Sequence, residues 1–218
     1  IATASVGDNR YSIYVSGHYA YVGNDDANTS ADTISVVDIS NPKAPIQIAT
    51  TTVGNSPQSI YVSGRYAYVG NATSNTISVV DISNPATPIQ ISTTSAGIGI
   101  ASIYVSGRYA YTVHTGGTDG LDIFDISNPA APIMTSSLSL GAVNPGSVYV
   151  SGRYAYVANA VGDSMSVIDV SDPTAPVLKA TVATGNFPHG IFVSGRYAYS
   201  VNFSSNTLSV VDISGTEV

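Results

Sequence analysis

The chain has no cysteine and no tryptophan, so disulfides and thiolate chemistry are excluded throughout. Charge is scarce as well. Charged residues make up 10% of the 218 positions, with 7 Lys and Arg against 14 Asp and Glu, for a net charge of −7. A chain this poor in cations is ill suited to polyanions, which disfavours nucleic acid and anionic membranes as partners. No apolar run approaches the roughly 20 residues that cross a bilayer, so membrane insertion is not expected. No charged start followed by an apolar core resembles a signal peptide, and if the protein is exported the sequence shown is its mature part. Helical periodicity is missing, and Pro and Gly recur too often for long helices. Catalytic signatures are missing too: there is no Gly-x-Ser-x-Gly elbow, no phosphate-binding Gly loop and no His-Glu-x-x-His. No cofactor and no enzymatic activity are expected on these grounds.

What the chain has in abundance is a repeat. The decapeptide Ser-Ile-Tyr-Val-Ser-Gly-Arg-Tyr-Ala-Tyr runs from Ser59 to Tyr68 and again, unchanged, from Ser102 to Tyr111. Edited copies run from Ser12 to Tyr21, from Ser147 to Tyr156 and from Gly190 to Tyr199. Its glycine recurs at Gly17, Gly64, Gly107, Gly152 and Gly195, spaced by 47, 43, 45 and 43 residues. A period in the forties holding several strands indicates a propeller blade.

Four strands can be drawn per unit. In the second unit they are Ser59 to Val62, Tyr66 to Val69, Thr76 to Asp81, and a fourth starting near Pro88 and ending before Gly97. Val, Ile, Tyr and Thr fill them, and Gly64 supplies the positive φ of a tight hairpin. The first two strands read as apolar on both sides, and the fourth alternates with Gln and Thr as an outer strand should. The blades fall at about 12–53, 59–96, 102–140, 147–184 and 190–214. The last copy stops after its third strand, while residues 1–7 spell a fourth strand matching Ile48 to Gly54. Pairing residues 1–6 with 207–213 would complete the fifth blade. The expected fold is therefore an all-β, five-bladed β-propeller of four-stranded blades, a single domain over 1–218 closed by its N-terminal strand.

The third strands read Ile34-Ser-Val-Val-Asp38, Ile77-Ser-Val-Val-Asp81, Leu121-Asp-Ile-Phe-Asp125, Met165-Ser-Val-Ile-Asp169 and Leu208-Ser-Val-Val-Asp212. All but the last continue as Ile or Val, Ser, Asn or Asp, Pro, two residues, Pro. In this the chain resembles the LVIVD-repeat family over essentially its whole length. The resemblance implies a β-propeller of a secreted or surface-attached protein, and carries no catalytic motif across. WD40 repeats are a poorer match, for want of Trp.

In a propeller the turns alternate between two faces. The turns holding the hairpin Gly and the Asp-Ile-Ser-Asn-Pro tail are nearly identical among units, whereas the other connections vary in sequence and length. Function is expected on the variable side. The repeated aspartates Asp38, Asp81, Asp125, Asp169 and Asp212 are read as turn formers accepting backbone N–H bonds. His18, Arg65, Arg108, Arg153 and Arg196 are read as their ion-pair partners. Fourteen of the fifteen tyrosines lie at repeat positions and are expected to pack blades. Tyr11 breaks the pattern. With Arg10, Phe187, His189 and Phe203 it forms a candidate sector suited to a sugar ring or a protein partner. His114 stands where other units have Asn24, Asn71, Asn159 and Asn202, and is a further candidate. Asp25, Asp26, Asn28 and Asp32 could hold Ca²⁺, but match no EF-hand order and read first as a solvated acidic loop. Asp122 replaces a repeat Ser and, with Asp119 and Asp163, is the nearest thing to an unrepeated acid set. Sequons begin at Asn28, Asn71 and Asn202.

A surface solvated by Ser, Thr, Asn and Gly suggests an extracellular or cell-surface location. The expected function is a non-enzymatic structural and protein-interaction module, whose partner is another protein or further copies of itself in an array or filament. The alternative is a lectin-like module that binds glycan through the variable loops.

Overall fold

The computed structural model describes residues 2–8, 10–25 and 32–216, except the side chains of Arg10, Tyr11 and Thr216. Among the described residues, nineteen antiparallel strands form five sheets. The first sheet comprises β1 (Arg10–Ser16), β2 (Tyr19–Asn24), β3 (Thr33–Asp38) and β4 (Ile46–Thr52). The second comprises β5 (Pro57–Ser63), β6 (Tyr66–Asn71), β7 (Thr76–Asp81) and β8 (Ile89–Ser95). The third comprises β9 (Ile98–Ser106), β10 (Tyr109–Gly116), β11 (Gly120–Asp125) and β12 (Ile133–Ser139). The fourth comprises β13 (Pro145–Ser151), β14 (Tyr154–Asn159), β15 (Ser164–Asp169) and β16 (Val177–Ala183). The fifth has three strands, β17 (Pro188–Ser194), β18 (Tyr197–Asn202) and β19 (Thr207–Asp212). Within each sheet the strands stand in sequence order. Each hairpin glycine sits at φ 57–59° with open space where a Cβ would go, so backbone conformation rather than crowding selects it.

First strands begin earlier than the repeat suggests. In β1, β5, β13 and β17 a bulge falls two residues in, as between Pro57 and Ser59, and lets pairing reach back to Arg10, Pro57, Pro145 and Pro188. Proline fits there because it opens the strand, where no ladder N–H is needed. In the first four sheets the thoroughly covered strands are the second and third, such as β6 and β7, rather than the first and second, whereas β19 is largely exposed. β5 alternates, as suits a strand at the edge of its sheet. The fourth strands alternate exposed and half-buried positions, as expected.

Residue contacts divide the chain into two compact units, Ile1–Ile103 with Ile126–Pro132, and Tyr104–Asp125 with Ile133–Val218. In the first unit, Tyr21, Ile34, Val36 and Val53 pack on Ile60, Val62, Ala67, Val69, Val80 and Ile82 of the next sheet. Ser12 Oγ also donates across these sheets to the Pro57 carbonyl at 3.0 Å. In the second unit, one core joins Tyr111, Val113, Leu121 and Ile123 to Val148, Val150, Ala155 and Val157. Another joins Tyr156, Met165 and Val167 to Val193, Ala198 and Ile213. First-strand aromatics stack from sheet to sheet, Tyr14 on Tyr61 at 4.9 Å in one unit, Tyr104 on Tyr149 at 4.8 Å and Tyr149 on Phe192 at 5.2 Å in the other.

Residues 2–7 carry no strand, and β19 is the outer strand of its sheet. The ladder expected between residues 1–6 and 207–213 is not among the described sheets. Gly7 nevertheless occupies a repeat position: a Cβ on it would fall 2.7 Å from Asn24, as one on Gly54 would fall 2.8 Å from Asn71 and one on Gly185 2.6 Å from Asn202. Only glycine lets the chain pass this close to the asparagine that ends each second strand.

Candidate functional site

The repeated turn groups are engaged with one another. Arg65 pairs with Asp81 at 2.9 Å, Arg153 with Asp169 at 3.1 Å, Arg196 with Asp212 at 2.5 Å, and Arg108 with Asp125. Each guanidinium lies 5.0–5.3 Å from the ring centre of the tyrosine that follows it. The carboxylates also accept a backbone N–H two residues on, from Ser40, Ser83, Ser171 and Ser214 at 2.8–3.0 Å. Hydrogen bonds from the side chains of the same serines, and after them these backbone bonds, do more than the neighbouring cations to hold the carboxyls of Asp38, Asp81 and Asp169 below the usual range and to push that of Asp212 down to about 2.

Where second and third strands end together, a buried polar ladder recurs. Asn71 Nδ2 donates to Ser78 Oγ at 2.9 Å and to Thr76 Oγ1 at 3.1 Å, and Asn24, Asn159 and Asn202 do the same to their own Ser and Ser or Thr. Two sequons are thereby accounted for. Asn71 and Asn202 are buried with their amides committed, which closes them to glycosylation in the folded chain. Asn28 lies outside the described residues.

The third sheet departs from this ladder. His114 lies within β10, buried, and not in a loop. Its Nε2 stands 3.4 Å from Oδ1 of the buried Asp122, a charge pairing rather than a hydrogen bond of ordinary length. Asp122 raises the His114 pKa, outweighing the burial that lowers it. Gly120 pairs with His114 in the register, and a Cβ there would fall 2.9 Å from Nε2. His, Gly and Asp thus replace Asn, Thr and Ser as a set. Enclosed this way, His114 presents no ring nitrogen to a surface ligand.

A second recurring device went unread in the sequence. A residue in the connection after the second strand accepts the N–H of a positive-φ residue 24 or 25 positions on. Asp32 holds Ser56 at 2.6 Å, Asn75 holds Gly99 at 2.9 Å, Asp119 holds Asn144 at 2.5 Å and Asp163 holds Phe187 at 2.8 Å. The regular spacing was the available signal. It was obscured because acids and Asn interchange, as do Ser, Gly, Asn and Phe at the receiving end. Asp119 and Asp163 are therefore backbone clamps and do not form an acid pair with Asp122. In the acidic loop, Asp32 clamps Ser56 and Asp25 accepts the Ser56 hydroxyl at 2.9 Å. Asp26 and Asn28 lie outside the described residues. No metal-binding cluster of His, Asp and Glu occurs among the described residues.

Of the aromatic sector, three members come together. Phe187 and Phe203 stack with ring centres 6.1 Å apart. His189 and Phe203 line one cleft of about 430 Å³ with Val201, Asn202, Asn206 and Thr207. Phe187 sits at φ 57°, a conformation costly for a bulky residue. Every other unit with a described residue here places Ser, Gly or Asn at it. Arg10 and Tyr11 open β1 instead of lying in a connection, and their side chains are outside the described residues. The cleft offers one aromatic face and one imidazole, enough for stacking and a hydrogen bond, and no carboxylate is among the residues that line it.

Comparison with known proteins agrees with this architecture. Residues 9–52, 54–94, 99–139, 144–184 and 189–216 each match the LVIVD repeat, and the chain belongs to that family. No curated protein matches the sequence. Among solved structures, the chain is similar to a functionally unknown protein from Desulfotomaculum acetoxidans (TM-score 0.77, 18% identity, 95% of this chain and 70% of that one). It is similar also to a Bacteroides uniformis protein provisionally named 6-phosphogluconolactonase (0.85, 15%, 96% and 69%). A third is the periplasmic gluconolactonase of Pseudomonas aeruginosa (0.77, 17%, 95% and 67%). At these identities the likeness establishes the propeller-like fold alone.

Proposed function

We propose that this LVIVD-repeat chain is a non-enzymatic, extracellular structural module that binds protein, in the first instance copies of itself, in an array or filament. The observation that carries the reading is the set of exposed apolar side chains on two of the sheets. β1 exposes Ile13 and Val15, and the fifth sheet exposes Phe192, Val201, Leu208 and Val210. Contiguous exposed apolar area of this kind marks interaction surfaces. The fifth sheet is also one strand short, and residues 1–6 spell the missing strand. Their pairing with β19 is part of the proposal. Low charge and a Ser, Thr and Asn surface support the extracellular placement. Sedimentation velocity and negative-stain imaging across a concentration series test it. Ordered assemblies are expected, and a strict monomer at high concentration would sink the reading.

The gluconolactonase names of the structural neighbours raise a hydrolase as the competing class. Against it stands the fate of the unrepeated acids, since Asp122 is enclosed and Asp119 and Asp163 are bound to backbone. Turnover of gluconolactones that is lost on Asp122→Ser would overturn the non-enzymatic reading. The cleft lined by His189 and Phe203 favours a second reading, glycan binding. Glycan-array signal abolished by Phe203→Ala, with assembly intact, would establish it.

A further inference from the structure

The fourth and fifth sheets lie in the same compact unit, and a shared core of Tyr156, Met165, Val167, Val193, Ala198 and Ile213 fixes them against each other. Between their turns lies a cavity of about 290 Å³, whose walls include Arg153, Arg196, Ser151, Tyr154 and Ile213. No carboxylate is among the residues that line it. A third cation, Lys179 of β16, stands 4.0 Å from Asp169, the carboxylate that also pairs with Arg153. Three of the chain's seven Lys and Arg residues therefore gather here, in a protein of net charge −7. The concentration is local to this place. Lys179 is matched by Ile48, Ile91 and Thr135 in the other fourth strands. The corresponding turns of the first and second sheets, both in the first unit, carry His18 and Arg65, one guanidinium fewer.

The two arginines are set in place before any ligand arrives. Each meets its own aspartate through Nη2, Arg153 at 3.1 Å and Arg196 at 2.5 Å, and each lies over the ring of the tyrosine that follows it, at 5.0 and 5.1 Å. A guanidinium has five N–H donors in a rigid fork, so the Nε and Nη1 hydrogens are not used by these bonds. Two such forks on one cavity wall suit an oxyanion, because charge-assisted bonds to fixed donors are the strong ones. Asp169 and Asp212 already offset much of the positive charge. That balance suits a single negative charge spread over two oxygens, a carboxylate, over a doubly charged phosphate. Tyr154 and Ile213 give the cavity an apolar wall and Ser151 gives it a hydroxyl. Its volume stands at the lower edge of the roughly 300–1,000 Å³ of small-molecule sites, which is room for one ring. A peptide end would bring an extended backbone that needs a strand edge or groove, whereas turns wall this cavity.

We propose that the cavity between the turns of the fourth and fifth sheets binds a carboxylate-bearing sugar residue, with Arg153 and Arg196 holding the carboxylate and Tyr154 and Ile213 meeting the apolar side of the ring. The site lies at the opposite end of β17 from the cleft at His189 and Phe203. It depends neither on that cleft nor on assembly.

Titration of the full chain with sodium glucuronate, followed through the ¹H–¹⁵N shifts of the protein, tests the site. Saturable shifts are expected at residues 151–154 and 195–196, with glucose, which has the ring without the carboxylate, binding at least about tenfold more weakly. Arg153→Gln and Arg196→Gln should each weaken glucuronate by about tenfold or more. Arg153→Lys keeps the charge but loses the fork, and should weaken it as well. Arg65→Gln removes a cation of the same kind elsewhere and should change nothing. Thermal melts of the four variants should match the wild type, because the substituted side chains are mostly exposed. No saturable shift, equal affinity for glucose, or binding that survives Arg153→Gln and Arg196→Gln together would overturn the proposal. So would an Arg65→Gln effect as large as that of Arg153→Gln, which would mark diffuse charge attraction. Tighter binding of inorganic phosphate, or of acetyl-dialanine with its free carboxylate, would overturn the assignment to an acidic sugar.

Discussion

The face that β5 and β6 turn toward β3 and the face that β1 and β2 turn outward are written in nearly the same residues. One is closed and the other open. Ile60, Ala67, Val69, Val80 and Ile82 hold Ile34 and Val36 in a dry core, while Ile13, Ala20, Val22, Val37 and Ile39 frame a cavity. What a side chain contributes is therefore set by its neighbour and not by its repeat position. Burying a Leu, Ile or Val side chain contributes about 1.5–3 kcal/mol, which the closed face gains on folding and the exposed side chains of β1 do not.

The largest expected effect comes from placing the same charge on each side of this comparison. Ile34→Asp puts a carboxylate into a fully buried position with no cation beside it, at a cost above about 4 kcal/mol. Urea denaturation should show the first unit unfolded or nearly so. Leu208→Asp, at the corresponding but exposed position, should shift the same denaturation by no more than about 0.5 kcal/mol and act on assembly alone. Equal losses in the two variants would mean that the Leu208 face is covered within the single chain.

The third sheet offers a finer contrast. His114, Gly120 and Asp122 occupy the places that Asn71, Thr76 and Ser78 hold in the second sheet, so a buried charge pair has replaced a neutral ladder. Breaking one partner should be worse than replacing all three. Asp122→Ser strands a buried imidazole and should cost about 3 kcal/mol. The triple variant His114→Asn, Gly120→Thr, Asp122→Ser rebuilds the ladder and should recover most of that loss in the same melt.

The pair should also give the third sheet a pH dependence that the others lack. The folded-state pKa of His114 is raised above its ordinary value of 6.5. Its contribution is therefore fully present below about pH 6.5, the unfolded value, and is lost as pH rises through the folded value. Melting temperatures measured from pH 5 to pH 9 should fall more for the wild type than for the triple variant. Parallel curves would show that His114 stays neutral throughout.

Much of the fold was legible because repetition averages out local ambiguity. Five copies of one hairpin and five of an apolar strand opened by Ile, Leu or Met and ending in Asp define strand order, turn glycines and the Arg–Asp pairs. The first-strand starts at Pro57, Pro145 and Pro188 were misplaced because a bulge breaks period-two alternation at the point where the pattern was being read. The His114–Asp122 pair was visible as two separate departures from the repeat. Recognising it as one feature required the register that sets β10 against β11. The clamps from Asp32, Asn75, Asp119 and Asp163 escaped notice because what they share is an acceptor oxygen at one spacing, not a residue type. Phe187 and Phe203 of the aromatic sector stack because the connections that carry them border the same sheet.

The smallest expected effect divides the two partners of a repeated ion pair. Arg65 is mostly exposed and meets Asp81 through one nitrogen, while it lies over Tyr66. Pairs held in water contribute little. Asp81 does more: Oδ2 receives Arg65, and Oδ1 receives the Ser83 N–H that shapes the turn into the Pro-rich tail. Arg65→Ala should leave the melting temperature within measurement error and be indifferent to salt. Asp81→Ala should lower it detectably, because the turn loses the bond that Arg65 never made. Acid should act through the same groups. The carboxyls of Asp38, Asp81 and Asp169 are depressed and that of Asp212 lies at about 2, so their contribution is present above about pH 3.8 and is lost as pH falls through the folded values. Melts taken from pH 5 down to pH 2 should therefore fall for the wild type and for Arg65→Ala alike. A slope that disappears in Arg65→Ala would show that the ion pair, and not the hydrogen bonds from Ser83, holds the turn.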